Sequence, residues 1–332
     1  MTQGEPARGG HVSVTAPDGV PEVHPGDDLV ELLLPLIELA DGDVVVVTSK
    51  VVSKSEGRLV TGASRNRVLD DESVRVVARR GDTTIVRTRL GLTMAAAGID
   101  TSNVAAGTLA LLPLDPDASA RRIRGAIAER TGTNVAVVVT DTAGRAWREG
   151  QTDIAIGVAG LVVVDQHAGR VDAHGNELAV TAPAVADEVA GMAELAQGKL
   201  TGRPFAFVRG LANLVLAPDE HGPGAAALVR PEDADMFGYG AREAVVSALV
   251  GDPADLAPFG RPATADELAA VIERLTGRSA SRDGSGLVLT GPADGRLAPL
   301  AHAHGWRLED PLPHGSTEAE GTVEVRMRPA GT

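Results

Sequence analysis

Val44-Val45-Val46-Val47-Thr48 narrows the possible folds more than any other segment. This run of β-branched residues follows the turn-forming Asp41-Gly42-Asp43 and offers no polar face to water. It therefore predicts a strand covered on both sides. Asn134–Thr140, apolar or β-branched almost throughout, predicts a second strand of the same kind. Aromatic residues make up 2% of the 332 positions and hydrophobic residues 43%, so the core must be built from Val, Leu, Ile and Ala. A chain of this length exceeds the size at which one core usually keeps growing, and two compact units are expected.

Helical patterns alternate with such runs, which predicts a mixed α/β (α+β) protein. Helices are expected over Asp70–Arg80, Ala118–Thr131 (closed by Gly132), Ala184–Gln197 and Thr264–Thr276. Further strands are expected over Thr83–Thr88, Leu161–Asp165, Pro204–Val208, Gly286–Leu289 and Thr322–Met327. The Pro- and Gly-rich stretch around Asp252–Pro262 reads as a linker. The expected organisation is a disordered N-terminus (1–10), a main domain (11–250), the linker (251–262) and a small C-terminal α+β domain (263–332).

Composition removes several functions. The chain has no cysteine, which excludes disulfides, thiolate metal sites, iron–sulfur clusters and cysteine nucleophiles. A net charge of −14 argues against nonspecific binding to nucleic acid or to an anionic membrane. No run approaches 18 apolar residues and Met1–Gly10 is polar, so a cytoplasmic location is the expectation. No Walker pattern occurs, because Gly198-Lys199 is followed by Leu200, and no GxGxxG follows a strand. The eight histidines lack zinc-ligand spacing and read as surface or structural groups.

Chemistry concentrates at strand ends, where open α/β sheets place their ligands. Val137–Arg145 runs from an apolar strand into Asp141, Thr142 and Gly144, a place where a carboxylate and a hydroxyl suit a hard divalent cation. The same residues also read as a solvated turn. Asp100, in Ala97–Asn103, is a second such acid, or equally an ordinary Asx turn. Val46–Arg58 delivers hydroxyls together with Lys50 and Lys54, cations suited to phosphate, although lysines four apart on a helix also make a solvated face. Trp147 is either a stacking platform or a cover for the core.

Read together, these segments resemble the coenzyme F420:L-glutamate ligase family. Val20-Pro21-Glu22-Val23 with His24–Leu29, Thr48–Arg58, Arg89–Leu92 with Ala96–Asn103, Thr140–Gly157 and Asp187–Gly210 carry the resemblance, in order, over about residues 11–250. It implies that Val20, Pro21, Glu22, Val23, Ser49, Lys54, Asn103 and the loop Leu195, Ala196, Gln197, Gly198, Lys199, Leu200, Thr201, Gly202 hold GTP. It also implies two divalent cations, Mg²⁺ or Mn²⁺, on Asp100, Asp141, Thr142 and Gln197, with K⁺ as a further cofactor, a homodimer, and catalytic roles for Lys54 and Asp141. Some relatives fuse this unit to a flavin-binding nitroreductase domain. The residues after 250 are too few for one, so no FMN is expected.

The implied reaction is ligation of L-glutamate to the glutamate-free coenzyme (F420-0) through an acyl phosphate, giving an amide and then γ-linked glutamates. Two other readings fit the same motifs: a kinase or amide ligase acting on another carboxylate, and a noncatalytic nucleotide sensor.

Overall fold

The computed structural model describes residues 10–231, 240–310 and 322–330. Disorder expected over 1–10 therefore lies, Gly10 apart, outside the described residues. The chain divides into two compact units, Met1–Arg230 and Pro231–Thr332.

The first unit contains, in order, β1 (Ser13–Thr15), α1 (Leu29–Leu33), β2 (Val44–Thr48), α2 (Ser49–Ser55), β3 (Leu59–Thr61), α3 (Arg65–Glu72), β4 (Ser73–Arg80), β5 (Thr83–Thr88), β6 (Thr93–Ala95), β7 (Thr108–Ala110), α4 (Pro116–Thr131), β8 (Ala136–Gly144), β9 (Gln151–Ala159), α5 (Val185–Gln197) and β10 (Phe205–Arg209). Its main sheet has the order β1-β10-β2-β8-β9. Only β2 and β8 run parallel; the other neighbours in this sheet are antiparallel.

The valine runs lie at the centre of this sheet for the reason their composition suggests. Val45, Val47, Val137 and Val139 face one core with Ile123 and Ile127 of α4 and Leu29, Val30 and Leu33 of α1. Val44, Val46, Ala136 and Val138 face another with Val185, Ala186, Val189 and Ala193 of α5. Helices cover both faces, so neither strand has a side on which a polar residue would meet water.

Two expectations are corrected. The helix predicted over Asp70–Arg80 is instead the end of α3 followed by β4, which pairs with β5 across Gly81, a residue with φ of +56°. Strand pairing there overrides a charge pattern that suits either state. The strand predicted over Leu161–Asp165 does not form; Leu161 makes one isolated bridge, to Val215, and the partner of β8 is β9.

The second unit holds α6 (Ala241–Val250), α7 (Ala265–Thr276), β11 (Ser281–Asp283), β12 (Gly286–Pro292), α8 (Leu297–Ala303), β13 (Trp306–Leu308) and β14 (Thr322–Pro329). Its antiparallel sheet has the order β11-β12-β14-β13. Leu268, Ile272, Leu287, Leu289, Leu297, Trp306 and Met327 form its core. Thr264 and Glu267 close a reciprocal capping box at the start of α7. The division falls ahead of the expected boundary at 250 because α6 packs on α8. Among the described residues no helix is long and apolar enough to cross a membrane.

Candidate active site

The register of the parallel pair decides which residues meet. Thr48, the last residue of β2, lies opposite Thr140 of β8. At that level β2 turns into α2, whereas β8 continues to Gly144 as one arm of a hairpin with β9. Asp141 is thus not in a turn after a strand. It lies within a strand that projects beyond its neighbour, and Ser49, the first residue of α2, donates its hydroxyl hydrogen to Asp141 Oδ1 at 2.8 Å.

Consecutive residues of a strand leave on opposite faces. Asp141 therefore meets α2, and Thr142 meets the groups around the end of α5. The Thr142 hydroxyl donates to Asp153 Oδ1 at 2.7 Å and accepts from Lys199 Nζ at 2.6 Å. Asp153 is buried on β9, also accepts the Thr140 hydroxyl at 3.1 Å, and has its own N–H bonded to Glu194 of α5 at 3.3 Å. Asp141 and Thr142 consequently serve two different positions, one on each side of the sheet edge.

Asp100 sits in the Asx turn that its local sequence allowed, accepting from the Ser102 N–H and the Ser102 hydroxyl at 2.8 Å each. Lys50 Nζ reaches Asp100 Oδ2 at 2.6 Å. Burial works to raise the Asp100 carboxyl, but the hydrogen bonds from Lys50 and Ser102 outweigh it and hold the group down at about 2. Asp141 goes the other way. Burial, against which the Ser49 hydrogen bond works, together with the negative charges of Asp153 and Asp100, pushes its carboxyl up to about 7. Asp141 is close enough to both Asp153 and Asp100 to feel their charge.

Gln197, at the end of α5, is only 3% exposed, and among the described residues neither its amide oxygen nor its amide nitrogen has a hydrogen-bond partner. Leaving such a group bare costs roughly 1–3 kcal/mol, so this amide is suited to receive a ligand. It lies three residues past Glu194, on the same side of α5 as the carboxylate that bonds the Asp153 N–H, and two residues before Lys199.

Among the described residues no three His, Cys, Asp or Glu side chains are arranged to hold a metal by themselves. The oxygen donors present are of mixed type: the carboxylates of Asp100 and Asp141, the hydroxyl of Thr142 and the amide of Gln197. Hard oxygen donors of this kind fit Mg²⁺ or Mn²⁺. Lys50 and Lys199 already place a positive charge against Asp100 and Thr142, which is the sign of ligand these groups accept.

Lys54, on α2, is 6% exposed and pairs with Glu22 at 2.5 Å. It is five residues from Ser49, about 7 Å along the helix. Of the other expected nucleotide contacts, Val23 is buried and Val20 packs against the same core, so their side chains are structural, whereas Pro21 and Glu22 are exposed. Asn103 is exposed with φ of +54°. In the loop Leu195–Gly202, Leu195 and Leu200 are 87% and 97% exposed, Ala196 is partly buried, and Gly198 and Gly202 have positive φ. The Thr201 hydroxyl bonds back to the Gln197 carbonyl.

Asp153 was not among the expected site residues, and Lys50, expected as a cation for phosphate, is instead paired with Asp100. The available signal for Asp153 was an acid at the head of the small and apolar stretch Ile154–Ala159. Trp147 does not cover core: it is 91% exposed, with φ of +61°, between β8 and β9.

Residues 19–210 match the family model described as F420-0:Gamma-glutamyl ligase. The chain is 39% identical over 221 residues to the Coenzyme F420:L-glutamate ligase of Archaeoglobus fulgidus, covering 60% of this chain and 88% of that protein. It is 35% identical over 251 residues to the protein of the same name from Methanothermobacter thermautotrophicus, covering 68% and 98%. With the one from Methanopyrus kandleri it shares 37% over 236 residues, covering 65% and 93%.

Proposed function

The chain belongs to the F420-0:gamma-glutamyl ligase family, and from that premise we propose that it ligates L-glutamate to the glutamate-free coenzyme F420-0 in coenzyme F420 biosynthesis, driven by GTP. The observation that carries the reading is the Ser49–Asp141 contact, with Asp100 close enough to act on the same carboxylate through charge.

A carboxylate is a poor acyl donor, so the carboxylate of the acceptor first attacks the γ-phosphorus of GTP, releasing GDP and forming an acyl phosphate. The amine of glutamate then attacks the acyl carbon, the nitrogen gives up one proton to solvent, phosphate leaves with the bonding pair, and an amide remains; a second round on the new glutamate gives a γ-linkage. Phosphoryl transfer asks a protein mainly for positioning and charge neutralisation. Bound Mg²⁺ or Mn²⁺, with K⁺ as a monovalent companion, would supply Lewis acidity and neutralise the phosphates. Asp100 and Asp141 would hold one divalent ion, Thr142 and Gln197 the other. Lys54, buried beside the exposed Glu22, supplies a cation for phosphate oxygens. Ser49 keeps Asp141 oriented, and the loop Leu195–Gly202 brings the Lys199 amine to Thr142. The protein acts as a homodimer without FMN in this reading.

The test is incubation of the purified protein with GTP, Mn²⁺, L-glutamate and F420-0, followed by mass analysis. Each ligation adds one glutamyl mass step and releases one GDP. Intact acceptor beside unconsumed GTP sinks the proposal, and GDP release that depends on a different carboxylate replaces the acceptor.

A further inference from the structure

We propose that Asp153 is a positioning residue, which spends the only hydroxyl hydrogen of Thr142 and so leaves that oxygen's remaining lone pair to face a bound cation. The inference rests on the reading of Thr142 as a cation ligand and adds a residue that reading does not contain.

A threonine hydroxyl has one hydrogen and two acceptor lone pairs. At Thr142 the hydrogen goes to Asp153 Oδ1 at 2.7 Å, and the oxygen accepts Lys199 Nζ, a cation, at 2.6 Å. With its hydrogen committed, the oxygen can face the site only as an acceptor. Without Asp153 the hydroxyl rotates freely, and in part of its population it points a hydrogen at the incoming charge.

The carboxylate is itself well fixed. Asp153 lies directly opposite Thr142 in the β8–β9 pair and is 5% exposed. Its second oxygen takes the Thr140 hydroxyl at 3.1 Å, and its N–H is tied to Glu194 of α5. Thr140, Thr142 and Asp153 therefore share one face of the hairpin, and both carboxylate oxygens are occupied by threonine hydroxyls. Groups that orient a metal ligand in this way typically change affinity by about 10–100-fold when removed.

The experiment is Mn²⁺ titration of the full chain followed by electron paramagnetic resonance of the free ion, with folding checked by circular dichroism. Four variants are compared with wild type: Asp153→Ala, Asp153→Asn, Thr142→Val and the double variant Asp153→Ala/Thr142→Val. Asp153→Ala is expected to weaken one class of Mn²⁺ site about tenfold, with Asp153→Asn, which keeps one acceptor, in between. At that class of site the double variant is expected to bind no more than about twofold worse than Thr142→Val, because Asp153 reaches the Thr142 position through that hydroxyl, while its charge acts on Asp141 and is read at the other class of site. Wild-type affinity in Asp153→Ala overturns the proposal, as do losses that multiply in the double variant or a lowered melting temperature with Mn²⁺ binding intact. Unchanged affinity in Thr142→Val removes Thr142 from the ligand set, so the underlying reading fails first and recognisably.

Discussion

Ser49 and Asp141 are 92 positions apart in sequence, yet the hydroxyl of the first donates to a carboxylate oxygen of the second at 2.8 Å. That hydrogen bond is the main force opposing the burial that raises the Asp141 carboxyl to about 7. A hydrogen bond to a charged group is worth roughly 1.5–3 kcal/mol, or about one pH unit or more of shift. Ser49→Ala should therefore move the Asp141 titration further up. Mn²⁺ affinity and ligation rate, both needing the carboxylate, should rise with pH along a limb displaced by about one unit toward alkaline. Superimposable pH profiles for the variant and wild type would show that Ser49 does not act on Asp141.

Asp141→Asn separates function from stability. The folded-state value of Asp141 lies above the ordinary carboxylate value of 3.8, so the folded protein holds this proton more tightly than the unfolded chain. The stability it brings is complete below about pH 4 and is lost as pH rises through about 7. An asparagine cannot ionise and still accepts from Ser49. The chelator-treated variant should thus melt higher than wild type at pH 8, by roughly 2–4 °C for each kcal/mol relieved, while ligation is lost. The comparison at pH 5 should show a much smaller gap. A variant that melts lower at pH 8 would refute the electrostatic account.

Physical reasons decide which parts of this arrangement are visible in sequence. The valine runs are legible because a strand covered on both faces cannot carry polar residues, and α4 is legible because its period and its closing Gly132, with φ of +73°, coincide. The strand β4 is not, since Ser73–Arg80 owes its conformation to pairing with β5 rather than to its own pattern. The long hairpin arm β9 mixes Gln, Thr and Asp with small residues, so Asp153 stayed hidden inside it. Asp141 and Asp100 stood out as acids at a strand end and in a polar turn, and Gln197 by resemblance alone. That Ser49 meets Asp141 follows from the Thr48–Thr140 register, which no spacing within either segment encodes.

Lys54 offers a third test. Its side chain is 7% exposed, while that of its partner Glu22 is 67% exposed. Removing the amine leaves a carboxylate that water can solvate, so the stability cost should be small. A cation lost from phosphate binding costs far more. Lys54→Met, which keeps the bulk of the buried stem, should raise KM for GTP at least about tenfold and lower turnover about 100-fold, with melting within about 2 °C of wild type. Steady-state kinetics with GTP varied at saturating glutamate decide the point; unchanged constants would place the nucleotide elsewhere.

Arg124 carries the last prediction. It is 3% exposed, and its guanidinium donates to the carbonyls of Val135 (2.8 Å), Glu220 (2.6 Å), Leu216 (3.3 Å) and Ala217 (2.8 Å), and to Asn134 Oδ1 (2.9 Å). It also meets His221 Nδ1 at 3.1 Å. Because guanidinium only donates, that nitrogen accepts and the histidine hydrogen is on Nε2. One side chain thereby ties the segment 216–221 to α4 and to the entrance of β8. Arg124→Met keeps the stem's bulk but strips several buried carbonyls of their donors, at a cost of about 3–5 kcal/mol. Gly160 leaves the space this arginine needs. It has φ of +75°, and a β-carbon there would come 2.3 Å from Arg124 Nε, so Gly160→Ala should lose stability by a comparable amount. Because both changes act on the same packing, the double variant should lose less than the sum of the two. Urea unfolding of the two single variants and the double variant measures this. Strictly additive losses would mean that the glycine and the arginine act independently.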